Sequence, residues 1–364
     1  MKESKKIVFI LSSFHIRCIK RIKEFIAKGY EVEVYGFKRI NTKSQLEIDA
    51  EIIGEFLPNS SHLKRIPIVI NGIKKVLKNI KNQDAVIYVF GLDIAMWLRI
   101  LNKKHPYIFE ESDLYHTYVG NSFIRNTLEK IDKSIIKKSL MTVFTSEGFA
   151  KYHFGVNIPQ NVTFITNRLA ESVLDCKPVT KRPIDVNHLS IGFVGAIRFR
   201  AVMHFVEYFV NNYPQHEFHF YGMVTDEVKE QFDKLMTRPN CYYHGKFTTP
   251  TDLPDIYSNI DLVLSTYDAE YINVRCAEPN KFYESLYFDT PIIVSEGTFL
   301  GEKVRRYNSG YVVNAMDENS IERFIKELTP EDLANKIDSI KKVPKIDSVN
   351  INDGFFQKLE VLLH

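Results

Sequence analysis

Two short segments gather side chains able to handle a phosphorylated, hydroxyl-rich ligand. The denser is Ala277-Glu278-Pro279-Asn280-Lys281-Phe282-Tyr283-Glu284. It sets a cation, an amide and two carboxylates close together. Lys281 offers positive charge to a phosphate, and Glu278, Asn280 and Glu284 offer hydrogen bonds to sugar hydroxyls. Pro279 suits the start of a helix, where its missing N–H costs little. Lys281 and Glu284 then share one helical face, as a plain surface ion pair also would. The second segment is Ile191-Gly192-Phe193-Val194-Gly195-Ala196-Ile197-Arg198-Phe199-Arg200, which reads as strand, glycine turn and helix start. Gly195 removes a side chain where a ligand approaches the backbone, and the helix start offers free N–H groups to phosphate. Arg198 and Arg200 add charge-assisted donors, although a tight turn with two surface arginines reads the same way. The spacing is not GxGxxG, so a dinucleotide fingerprint is not supported. Asp113 is a candidate acid or base, or else a helix N-cap.

Other chemistries find little support. His216, His219, Cys241 and His244 have a vaguely metal-like spacing, but they fall on or beside predicted strands and are expected at the core or edge. There is no Gly-x-Ser-x-Gly elbow, Walker loop or DxD pair, so no metal is expected. The four cysteines are scattered with no CxxC, which suggests neither a disulfide framework nor a zinc ribbon.

The elements that must position these residues alternate. Ile7–Leu11, 31–35, 85–90, 107–109 and 141–144 read as strands, with helices predicted over 16–26, 94–101 and 123–140. Residues 171–187, with Pro178 and Pro183 and little periodicity, read as a linker. The alternation restarts with strands at 188–194, 217–221, 241–243, 261–264 and 291–294 and helices at 202–211, 226–236 and 279–287. This pattern predicts an α/β chain with two parallel sheets in series. Ligands of such sheets bind beyond the carboxyl ends of the strands, where both segments lie.

With 364 residues, 45% hydrophobic and 26% charged, the chain has room for two globular domains and is not disordered. No apolar run reaches the ~18 residues of a membrane span, and the apolar core near the N-terminus is too short for a signal peptide. The expectation is a cytoplasmic protein. Its net charge of +3 hides an asymmetry. Residues 1–170 hold 27 Lys and Arg against 16 Asp and Glu, whereas residues 171–364 hold 21 against 29. The basic half therefore suits an anionic partner, nucleic acid or membrane, unless it is simply a solvated face. Lys64, Arg65, Lys74, Lys75, Lys78 and Lys81 alternate with aliphatic residues, which fits a basic amphipathic helix resting on an anionic membrane. No nucleic-acid readout motif is present.

Taken in order, several pieces resemble the family-4 retaining glycosyltransferases. They are Gly29-Tyr30-Glu31-Val32, Phe90-Gly91-Leu92-Asp93, Asp113-Leu114-Tyr115, Phe144-Thr145-Ser146, Gly192-Phe193-Val194-Gly195, Phe220-Tyr221-Gly222 and His244-Gly245. Pro279-Asn280-Lys281-Phe282-Tyr283-Glu284 is the most specific. The resemblance implies the GT-B fold, two Rossmann-like domains facing across a cleft. They are read here as an acceptor-side domain over 1–170 and a nucleotide-sugar domain over 188–349, with a last helix in 350–364 packing back on the first. Two departures stand out. Counting back from Glu284, Cys276 occupies the place of the family's first glutamate, and Ser112 replaces the His that often precedes the loop Asp.

The resemblance implies a hexosyltransferase of cell-surface polysaccharide synthesis such as capsule. It would move sugar from a UDP- or GDP-linked donor, with retained configuration, to a glycan or lipid-linked acceptor on the inner face of the membrane. Arg198, Lys281 and Asp113 would serve catalysis, and Gly195, Arg200, Glu278, Asn280 and Glu284 would help bind the donor, with no metal and no other cofactor. The alternatives are a non-catalytic GT-B subunit that binds sugar nucleotide and a sugar-nucleotide epimerase.

Overall fold

The computed structural model describes residues 5–40, 48–57 and 62–363. The chain divides into two units: residues 1–165 with 353–364, and residues 166–352.

Unit 1 runs β1 (Lys6–Leu11), α1 (Ile16–Ala27), β2 (Val32–Arg39), β3 (Glu51–Phe56), α2 (His62–Asn79), β4 (Ala85–Phe90), α3 (Leu92–Leu101), β5 (Tyr107–Glu111), α4 (Ser122–Lys138), β6 (Met141–Phe144), α5 (Glu147–Phe154) and β7 (Val162–Phe164). Its parallel sheet has the order β3-β2-β1-β4-β5-β6-β7. Ile7 stands opposite both Val32 and Val86, so β1 is a central strand. That is why it is an unbroken apolar run: in a parallel sheet covered by helices both faces of a strand are buried.

Unit 2 runs β8 (Ser190–Val194), α6 (Arg200–Asn212), β9 (Glu217–Tyr221), α7 (Lys229–Leu235), β10 (Cys241–Tyr243), α8 (Leu253–Ser258), β11 (Leu262–Ser265), α9 (Ile272–Cys276), α10 (Asn280–Tyr287), β12 (Ile292–Ser295), α11 (Phe299–Tyr307), β13 (Gly310–Val313), α12 (Glu318–Glu327) and α13 (Pro330–Lys341). Its parallel sheet is β10-β9-β8-β11-β12-β13. Side-chain alternation sorts the strands onto two cores. Ile191, Phe193, Leu262 and Leu264 pack with Phe205 and Phe209 of α6 on one face. Val194, Val263, Ile292 and Val294 pack with Tyr257 and Phe282 on the other.

The segment 171–187, expected to be a linker, is folded into unit 2. Val173 is buried in its second core, and Lys181 Nζ donates to Tyr257 O, Ile260 O and Thr290 Oγ1. Burial holds the Lys181 ammonium down at about 8. The prolines and charges of this segment mark an irregular path over a core, not a tether. The last helix, α14 (Asp353–Leu363), belongs to unit 1. Phe355, Phe356 and Leu359 are buried there, and Phe356 meets the Phe25 ring edge-on at 5.1 Å.

Candidate functional site

In each sheet the strand order reverses beside the first strand of the unit, between β1 and β4 and between β8 and β11. Such a switch point opens a crevice at the carboxyl ends of the strands, because the connections on either side of it leave in opposite directions.

At the switch point of unit 2 the chain turns at Gly195, with φ +134°. The Gly195 N–H donates to Tyr221 O at 2.8 Å. One strand over, Gly222 has φ +133°, and a Cβ there would lie 1.9 Å from the Gly195 carbonyl oxygen. Only glycine lets these two turns pass so closely. The opening left at Gly195 is bordered by Lys281, whose Nζ lies 3.1 Å from where a Gly195 Cβ would stand.

Lys281 is the central feature. Its side chain lies in the first turn of α10 and is 93% buried, at 7% relative exposure. Nζ sits 4.3 Å from the centroid of the Phe193 ring and 5.5 Å from that of Tyr267. Among the described residues it makes no hydrogen bond and no ion pair. Cation–π contacts of this kind return about 0.5–2 kcal/mol. A buried ammonium normally pairs with an anion, since removing it from water is costly. The adjoining start of α10 has no side-chain cap, so its first N–H groups face the same need.

The other expected residues separate into those near this point and those committed elsewhere. Glu284 is buried; its Oε2 accepts from Tyr257 OH at 2.7 Å, and Oε1 makes no hydrogen bond among the described residues. Burial raises its carboxyl, against the lowering effect of Tyr257 and of the Lys281 charge. Asn280 is exposed at the start of α10.

Glu278, by contrast, is turned inward. It accepts from Lys303 Nζ at 2.7 Å and Tyr283 OH at 2.6 Å, and its carbonyl accepts from Asn167 Nδ2 at 2.7 Å. The sequence reading assigns Glu278 to the donor sugar; in the structure its carboxylate balances a buried lysine of α11 instead. The helix start at Arg200 also differs. Asp268 accepts from the Ala201 N–H at 2.8 Å and the Arg200 N–H at 3.4 Å, so the anion expected there is a side chain of the protein. The Arg200 guanidinium pairs with Glu270 at 2.7 Å, and that of Arg198 lies 4.9 Å over the Phe199 ring. Lys281 and the two arginines are therefore held by different partners.

Asp268 and Glu270 also line a pocket of about 280 Å³ at the carboxyl ends of β11, β12 and β13, with Ser295, Glu296 and Asn314. Ser295 Oγ fixes its Tyr267 wall, accepting from Tyr267 N–H at 2.7 Å and donating to Tyr267 O at 2.8 Å. Tyr267 and Asp268 stand just after a predicted strand, and that position is the one signal in the sequence that points to them. Asp113, in unit 1, is exposed just after β5, and its charge is felt by His15 at the start of α1. The histidines with metal-like spacing are accounted for by the sheet: His216 accepts from Leu189 N–H, and His219 and His244 stack with each other at 5.3 Å.

The two parallel sheets and their switch points define a GT-B fold, the two-domain class of many glycosyltransferases. No family profile matches the chain. It is similar to the succinoglycan biosynthesis protein ExoL of Rhizobium meliloti (strain 1021), with 19% identity over 345 residues, 89% of this chain and 84% of that one. Among solved structures it is similar to HepE of Anabaena in complex with UDP and glucose, with TM-score 0.68 and 15% identity over 98% of this chain and 99% of the other. Sucrose-phosphate synthase from Thermosynechococcus elongatus matches with TM-score 0.68 and 13% identity over 98% and 100%. The lipopolysaccharide outer core galactosyltransferase WaaB matches with TM-score 0.67 and 14% identity over 98% and 99%. No helix among the described residues is long and apolar enough to cross a membrane.

Proposed function

We propose that the chain is a retaining glycosyltransferase of cell-surface polysaccharide synthesis, moving a hexose from a UDP- or GDP-linked donor to a glycan or lipid-linked acceptor. The observation that carries this reading is the ammonium of the largely buried Lys281, which has no hydrogen bond or ion pair among the described residues and lies beside the glycine turn of β8. A nucleoside diphosphate is the anion that suits it. As the bond to the sugar breaks, negative charge gathers on the leaving phosphate. A cation and helix N–H groups already in place stabilise that charge without reorganising, which is the electrostatic core of such catalysis. Complexes of HepE with UDP and with UDP-glucose support a donor of this class.

The remaining roles follow from what each group has left to offer. Glu284 Oε1 accepts from ribose hydroxyls, and Asn280 orients the donor sugar. Arg200 is in an exposed pair with Glu270, and such pairs are worth only about 0–1 kcal/mol, so it can leave Glu270 for phosphate. Arg198, exposed beside Phe199, is a second donor, and Asp113 is the acid or base. With charge neutralised by protein cations, the transfer itself needs no divalent metal. Lys64, Lys74, Lys78 and Lys81 are exposed on or just beyond α2 and give unit 1 its attraction to an anionic membrane.

Cys276, in place of a glutamate, favours one other reading, a subunit that binds sugar nucleotide without turning it over. A panel of UDP- and GDP-sugars separates the two. Slow donor hydrolysis without acceptor is expected for at least one sugar. Binding with no hydrolysis of any donor, and no transfer when glycan acceptors are added, would favour the non-catalytic subunit.

A further inference from the structure

We propose that unit 1 holds a buried divalent metal ion of the zinc class, bound by Glu111, His116, Asp132 and His153. The four residues come from the end of β5, the 3₁₀ turn Tyr115–Tyr118, α4 and α5. All four side chains are fully buried. Ligand atoms of Glu111, His116 and Asp132 lie within 4.8 Å of one another. His116 Nδ1 is 3.3 Å from Asp132 Oδ2, which is 3.9 Å from His153 Nε2, and that nitrogen is 3.2 Å from Glu111 Oε1. Tetrahedral coordination at ~2.0–2.1 Å sets neighbouring ligand atoms ~3.3–3.4 Å apart. Two of these three edges lie close to that range and the third is longer; Glu111, His116 and Asp132 form the compact set, and His153 must move inward to complete the shell.

Two further points favour an ion. Glu111 Oε2, His116 Nε2, Asp132 Oδ1 and His153 Nδ1, the second polar atom of each group, are buried with no hydrogen-bond partner among the described residues, so protein hydrogen bonds satisfy only the atoms that face one another. Two carboxylates and one dication also sum to zero, the balance a dry interior favours. Two imidazoles and two carboxylates suit zinc over magnesium or calcium, and with all four ligands supplied by buried protein the site is structural. It ties β5 to three following elements and takes no part in the transfer proposed above.

The test uses the full chain, expressed in medium supplemented with Zn²⁺ or Co²⁺ and purified without chelator. Elemental mass spectrometry should find about one metal per folded chain, retained on dialysis against chelator and released on unfolding. The Co²⁺ protein should show the strong visible bands of tetrahedral N/O ligation. Asp132→Asn and His153→Gln should each lose the metal and the bands. Wild-type protein with no bound metal and no Co²⁺ bands would overturn the proposal and leave a proton-sharing hydrogen-bond network. Undiminished metal in both variants would overturn it equally. Should the variants fail to fold, the wild-type metal content and spectrum still decide.

Discussion

At the scale of the residue, partners decide which charged groups can meet a ligand. Lys281 and Lys303 are both buried lysines, yet only Lys303 has a carboxylate, Glu278, at 2.7 Å. The two should answer mutation in opposite ways. Glu278→Gln leaves the Lys303 ammonium uncompensated in the interior and is expected to lower stability by about 3–5 kcal/mol in denaturant titration. If Glu278 instead held the donor sugar, the same change would raise KM and leave stability near wild type. Glu284 stands between these cases, with one oxygen engaged by Tyr257 and the other without a partner among the described residues. Tyr257→Phe removes one charge-assisted hydrogen bond to a buried carboxylate. We expect a loss of about 1.5–3 kcal/mol in stability and a weaker hold on the nucleotide, read by calorimetry.

At the scale of the element, two glycine turns keep the unit 2 switch point open. Gly222→Ala would put a methyl group 1.9 Å from the Gly195 carbonyl, and backbone cannot yield as a flexible side chain can. The expected result is a lower Tm together with weakened nucleotide binding; unchanged values of both would show that the turns need not pass so closely. The helix that follows is stabilised differently, by Asp268 reaching its first N–H groups. Asp268→Ala should cost about 0.5–2 kcal/mol, as loss of an N-cap does. Legibility in the sequence divides at the same boundary. Buried strands such as Ala85–Phe90 and Ile292–Ser295 and the helix at Asn280 are readable from apolar runs, turn residues and Pro279. Strands β3, β7 and β13 leave no clear signal in the sequence, being short or interrupted by charge and glycine and held by pairing at the sheet edges. Which polar groups share a partner was hidden as well. Glu278 meets Lys303 only because α11 returns beside α10, and Asp268 caps α6 across 67 residues of sequence. Periodicity carries no record of either contact.

At the scale of the whole molecule, the chain leaves unit 1 after residue 165 and returns to it at residue 353. The return is made by rings: Phe355 and Phe356 both pack edge-on against Phe25. Phe356→Ala should cost about 3–5 kcal/mol, the usual loss for a buried phenylalanine. Hydrogen exchange should locate the damage in β1, α1 and β4, with protection in β8 to β13 unchanged. Equal loss in both units would contradict the division. The charge asymmetry also belongs to this scale. Lys74, Lys75 and Lys78 reversed to Glu should abolish sedimentation with anionic vesicles at low salt, and wild-type binding should fall as salt rises. Equal, negligible binding of wild type to anionic and neutral vesicles would leave the lysines a solvated face.

The central claim is that Lys281 receives the diphosphate of a nucleotide-sugar donor. Calorimetric titration of UDP and GDP into wild type and Lys281→Met tests it most directly. Methionine keeps the buried volume and removes only the charge. At least one nucleotide should bind wild type, and the variant should bind it ten- to a hundredfold more weakly, about 1.5–3 kcal/mol, with a Tm no lower than wild type. Equal affinity in the two proteins, or no binding of either nucleotide to wild type, would contradict the account.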